Sequence, residues 1–115
     1  TPTSLFNMEL HKQKCVPCEG GTPTLKPKQT KEYLNKTPKW KAIKNHHIHR
    51  EFKFKDFNSA LKFVNKVSKI AERENHHPDI NLGWGYVNMT TYTHAINGLS
   101  INDFILAAKI NRIKI

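Results

Sequence analysis

Hydrophobic and polar positions change rhythm several times along this chain, and each change marks an element. Ile48, Phe52 and Phe54 alternate with His47, His49, Glu51, Lys53 and Lys55, the two-residue period of a strand with one buried face. A shorter strand over 39–44 precedes it and pairs with it through a turn at Asn45-His46. The period then lengthens. Phe57, Ala60, Leu61, Val64, Val67 and Ala71 recur at three- and four-residue steps, which predicts a helix over 57–75 with one core-facing stripe and Asp56 as its N-cap. Pro78 cannot continue that helix and biases His77 toward extended backbone. A hairpin follows, with strands near 79–82 and 86–91 joined through Gly83-Trp84-Gly85, and Val87 and Met89 point inward. Ser100-Ile-Asn-Asp103 has the spacing of an N-cap with an acidic third helical residue, and it opens a last apolar helix through Phe104, Ile105, Ala108 and Ile110.

The first thirty positions show no such period. Pro17, Pro23 and Pro27, with Gly20-Gly21 among them, describe an extended or loosely docked arm over 1–27. A short helical turn over 28–35 opens the domain proper, residues 28–115. Strands and helices in this order predict an α+β fold, a four-stranded antiparallel sheet covered on one face by helices.

At 115 residues, 37% of them hydrophobic, the chain supports one domain with a modest core. No apolar run approaches the roughly eighteen residues of a membrane span, and the start lacks a signal-peptide hydrophobic segment, so no membrane is expected. Two cysteines, Cys15 and Cys18, make no disulfide framework and favour a reducing compartment, the cytoplasm, with the nucleus left open. The chain does not begin with Met, which leaves a removed targeting extension open as well. Net charge is +10, nearly all from lysine, with Arg50, Arg73 and Arg112 the only arginines. Such charge attracts polyanions. Base-edge and bidentate phosphate recognition lean on arginine, however, so nucleic acid is not the expected partner. Lys62, Lys66, Lys69 and Arg73 form a basic stripe at helical spacing, whose plain interpretation is a solvated face.

The candidate chemistry gathers around one proline. Glu72, His76, His77, Pro78, Trp84, His94 and Asp103 bring three imidazoles and two carboxylates together, which points to acid–base work on a neutral organic substrate. On spacing alone the three histidines are equally ordinary polar loop residues. Glu72 is either a surface carboxylate or a contact to substrate or His76 across one turn. Asp103 either stabilises the helix N-terminus or orients His94 by accepting a ring N–H. Trp84 and Tyr86 are either hairpin aromatics or a wall against a flat ring.

Taken together with Trp40, the run Arg50-Glu-Phe52-Lys-Phe54-Lys-Asp56-Phe57, Asn75-His76-His77-Pro78, Thr91-Tyr-Thr-His94 and Gly98-Leu-Ser100-Ile-Asn-Asp103, this order resembles the pterin-4a-carbinolamine dehydratases over residues 28–113. The resemblance implies three helices on a four-stranded antiparallel sheet, homotetramers in which sheets join across subunits, and removal of water from 4a-hydroxytetrahydrobiopterin to give quinonoid dihydropterin. It matches His76, His77 and His94 to the family's active-site histidines and Asp103 to its supporting aspartate; the dehydration chemistry itself then makes His76 and His94 the catalytic candidates and His77 the pterin-binding one, with Glu72 and Trp84 candidate substrate contacts, Pro78 a support at the junction, and no metal or cofactor needed. His76, at a helix C-terminus that favours its protonated form, is the candidate general acid. The Cys15-Cys18 arm resembles one found in a subset of the family. Zinc there would need four ligands, and His11, Cys15 and Cys18 supply at most three. Two other classes compete: a nucleic-acid binder using the lysine face, and a protein-interaction module such as a transcription cofactor, whose partner the sequence does not specify.

Overall fold

The computed structural model describes residues 9–17 and 20–114. Strands β1 (Lys41–Ile43), β2 (His47–Lys53), β3 (Asp79–Gly83) and β4 (Tyr86–Thr91) form one antiparallel sheet in the order β1-β2-β4-β3. Helices α1 (Pro27–Leu34), α2 (Phe57–Glu74) and α3 (Ile101–Asn111) complete the α+β fold and pack on the sheet. Among the described residues no helix is long and apolar enough to cross a membrane.

Each strand boundary has a local cause. The β1–β2 turn centres on Lys44 and Asn45, whose φ angles of 52° and 54° are the left-handed pair of a tight hairpin turn, one residue earlier than the expected Asn45-His46. On β2, Ile48 and Phe52 are buried, and Arg50 shares their face. Its guanidinium lies 4.0 Å from the Phe52 ring centroid and donates to Asn111, so a cation on an apolar face is held by a ring and an amide oxygen. At the β3–β4 turn Gly85 takes a φ of 78°. The Tyr86 ring covers Gly83, where any side chain would collide with it.

Helix α2 starts where Asp56 accepts the Ser59 N–H at 2.7 Å. It stops at Asn75, whose left-handed φ of 52° directs the His76 N–H back to the Ala71 carbonyl at 3.1 Å. The helix thus ends before Pro78 could break it. Its buried row is Ala60, Phe63, Val67, Ala71 and Glu74. Phe57 and Leu61, expected in the core stripe, are 45% and 36% exposed instead. They belong to the adjacent row of side chains, and Phe63 fills the core, its ring 4.6 Å from that of Phe52 and 5.2 Å from that of Phe54.

Helix α3 is buried on every side from Asn102 to Ala108, more than a sheet on one flank can achieve. The arm supplies the second cover. Leu10, in a single turn of 3-10 helix, is 5% exposed and joins the core. Val16 exchanges two hydrogen bonds with the Asn102 side-chain amide, and the Cys15 N–H donates to Glu74 at 2.9 Å. Residues 9–17 are therefore extended but firmly docked, not loose; Cys18 lies outside the described residues.

Candidate active site

His76 and His77 emerge from the left-handed cap at the end of α2, and Pro78 hands the chain to β3. From the other side β4 runs out through Tyr92 and Thr93 into a single 3-10 turn, His94–Ile96. This loop is closed by the Thr93 N–H on the Gly98 carbonyl at 2.8 Å and by Asn97 in left-handed conformation. Between the two segments lies an open cleft of about 330 Å³, lined by His76, His77, Pro78, Tyr92, Thr93 and His94 among others. The three histidines, 18 residues apart at their extremes, converge on it.

Behind the cleft Asp103 is fully buried, and four donors converge on it. Its Oδ1 accepts from His76 Nε2 at 2.6 Å and from the Thr91 hydroxyl at 2.8 Å. Its Oδ2 accepts from the Thr93 hydroxyl at 2.9 Å and from the Ser100 N–H at 3.0 Å, the reciprocal half of a capping box at the start of α3. Because the Thr93 hydroxyl donates to Asp103, the Ser100 hydroxyl donates to Thr93 at 2.7 Å while accepting the Asn102 N–H. A buried carboxylate satisfied in this way can hold an imidazole in one orientation.

Two pairings differ from expectation. Asp103 holds His76, not His94. Glu72 binds His77 through Oε2 and Nε2, not His76, because the left-handed step at Asn75 swings His77 back over the last turn of α2. His94 is exposed, and its ring stacks on Tyr92 with centroids 4.2 Å apart. Trp84 is not brought to this cluster within one chain: it stands 71% exposed at the β3–β4 turn, five residues on from Asp79, about 17 Å at strand rise. Tyr86 remains there with it, over Gly83.

Thr91, Tyr92 and Thr93 stood in the sequence only as part of a family-like run, with no role of their own. The signal was present in the β4 alternation: continuing Val87 and Met89 by twos places both threonines on the buried face, where a hydroxyl needs an acceptor. Lys62, Lys66, Lys69 and Arg73 are all exposed on α2, and none lines the cleft. Among the described residues no three His, Cys, Asp or Glu side chains converge as a metal-ligand set, and His11 pairs with Glu9 at 3.3 Å.

Comparison with known proteins gives one consistent answer. The family model for pterin 4 alpha carbinolamine dehydratase matches residues 23–113. A protein of Rubrobacter xylanophilus, provisionally named pterin-4-alpha-carbinolamine dehydratase, is 46% identical over 105 residues, covering 91% of this chain and 98% of its own. One from Alkaliphilus metalliredigens, named likewise, is 47% identical over 104 residues, covering 90% and 94%. The crystal structure of a protein from Brucella melitensis described as transcriptional coactivator/pterin dehydratase superposes with a TM-score of 0.73 at 32% identity, covering 77% of this chain and 96% of its own. With the histidine cleft, the fold and the matched span in agreement, this chain belongs to the pterin 4 alpha carbinolamine dehydratase family.

Proposed function

We propose that the protein is a hydro-lyase that removes water from 4a-hydroxytetrahydrobiopterin to give quinonoid dihydropterin, in the recycling of pterin oxidised by aromatic amino-acid hydroxylases. One observation carries the proposal: His76, His77 and His94 line a single cleft, at the lower end of the volumes that hold small molecules. Dehydration breaks the bond from carbon to hydroxyl, and the departing oxygen must receive a proton. The neighbouring ring N–H must lose one as the carbon–nitrogen double bond forms. With His76 Nε2–H held by Asp103, Nδ1 is the nitrogen free to exchange protons, and it delivers one to the leaving hydroxyl. His94 takes the proton from the ring N–H. His77, tied to Glu72 at the mouth, binds and orients the pterin. Pro78 fixes the backbone between the two groups and β3.

The protein is proposed to act as a homotetramer, residues 1–27 an arm on a single domain over 28–115, and its setting the cytoplasm. The edges of the sheet, β1 and β3, and the exposed Phe57 and Leu61 of α2 are surfaces that association would cover. A transcription-cofactor role, suggested by the description of the Brucella protein, has no specific feature of this chain in its favour.

The test is to add the protein to a running hydroxylase reaction and follow decay of the 4a-hydroxypterin intermediate. The decay is expected to accelerate and to remain accelerated in the presence of a chelator, since the acid–base set is complete in side chains. Loss of the effect on chelation, with recovery on adding zinc, would overturn the mechanism.

A further inference from the structure

We propose that Tyr92 and His46 form an aromatic stack that positions His94 for proton transfer, an inference that rests on His94 being an acid–base group as described above. The Tyr92 ring lies between two imidazoles, 4.2 Å from the His94 centroid at 37° and 4.6 Å from the His46 centroid at 39°. His94 needs such restraint: it is exposed, sits in a single 3-10 turn, and, unlike His76, pairs with no carboxylate among the described residues. An exposed side chain free to change rotamer spends much of its time away from the reacting atoms.

His46 is itself anchored at both ring nitrogens. Nε2 contacts Asn97 Oδ1 at 3.0 Å, so it carries the proton there, and Nδ1 lies 3.0 Å from His47 Nδ1, which donates to it when both rings are neutral. Asn97 closes the very loop that carries His94. On the other side Asn45 ties the β1–β2 turn to the Leu25 carbonyl at 2.8 Å. The stack thus runs from a braced hairpin turn, through Tyr92, to the exposed His94 of the cleft. Tyr92 lines the cleft and His46 does not, which allows the two contributions to be separated.

The experiment measures kcat and KM for carbinolamine dehydration in Tyr92→Ala, Tyr92→Phe, His46→Ala, His94→Ala and the Tyr92→Ala/His94→Ala double variant, with NMR of the His94 ring protons. Loss of one aromatic pair is expected to lower kcat by about 2- to 12-fold in Tyr92→Ala with KM little changed, and Tyr92→Phe is expected to restore it. His46→Ala should move kcat in the same direction. In the double variant Tyr92→Ala should add nothing to the loss caused by His94→Ala. The His94 ring protons should resonate upfield from ring-current shielding in wild type and in Tyr92→Phe, and lose that shift in Tyr92→Ala. An additive loss in the double variant, or unshifted His94 protons in wild type, overturns the positioning role. If His94→Ala keeps full turnover while the upfield shift is present, the acid–base assignment of His94 is what fails, and the catalytic role of the stack falls with it.

Discussion

Asp103 holds a helix end with one carboxylate oxygen and a histidine with the other, so stability and the proposed catalysis meet in a single side chain. Asp103→Asn separates them. Whichever way the amide is turned, its NH2 faces groups that donate, leaving at least one buried donor orphaned at about 1–3 kcal/mol. A lower melting temperature is therefore expected together with lower turnover of the protein that remains folded; unchanged turnover would reduce Asp103 to a helix cap. The capping box itself was legible, because Ser100 and Asp103 are three residues apart. Its histidine partner was not, since 27 residues separate Asp103 from His76 and local spacing does not say which histidine folds back. His77 is the opposite case. Its pair with Glu72 is exposed at 54% and 77% and contributes little to stability, so His77→Ala should leave the melting temperature nearly unchanged while raising KM. A pronounced loss of stability with KM intact would make that pair structural.

Helix α2 shows where periodicity helps and where it stops. Three- and four-residue steps identified the helix and Asp56 as its cap, but two neighbouring apolar rows fit the same steps, and only packing against Phe52 and Phe54 selects the one containing Phe63. The docked arm was illegible for a related reason: one apolar residue, Leu10, and backbone hydrogen bonds to Glu74 and Asn102 carry it, and neither leaves a period. Glu74 is buried on the core row of α2. Burial alone pushes its carboxyl up, but the Cys15 N–H, the Lys109 ammonium and nearby Lys14 together hold it below the ordinary glutamate value. A depressed carboxyl contributes stability above its unfolded-state value and loses it as pH falls through the folded-state value. Melting temperature should accordingly fall on the acid side of the ordinary glutamate range, and Glu74→Gln should flatten that limb. A Glu74→Gln protein with an unchanged acid limb would show that the arm contact is not the sensitive one. His47 acts in a separate window: burial and the charges of His46, His49 and Lys44 lower its pKa, so its contribution is lost as pH drops below the ordinary histidine value.

Across the whole molecule, the order of strands and helices was readable because each hydrophobic period agrees with its neighbours, whereas Trp84 shows how a motif residue can sit far from the site that its spacing suggested. A net charge of +10 on a chain this small opposes association at low ionic strength, and the open sheet edges with exposed Phe57 and Leu61 favour it. Light scattering at physiological salt is expected to give about four subunits per particle; a stable monomer at micromolar concentration would contradict the proposed assembly. The central claim is that imidazoles brought together in one cleft carry out the dehydration. It is tested most directly by the decay of 4a-hydroxypterin in the presence of wild-type protein and of the His76→Ala/His94→Ala double variant, each shown to be folded. A single acid–base group contributes about 10²–10⁴-fold, although spontaneous dehydration sets a floor beneath any variant. The account predicts rapid decay with wild type, intermediate rates for each single variant, and a fall toward the spontaneous rate for the double variant. A folded double variant that retained wild-type turnover would contradict it.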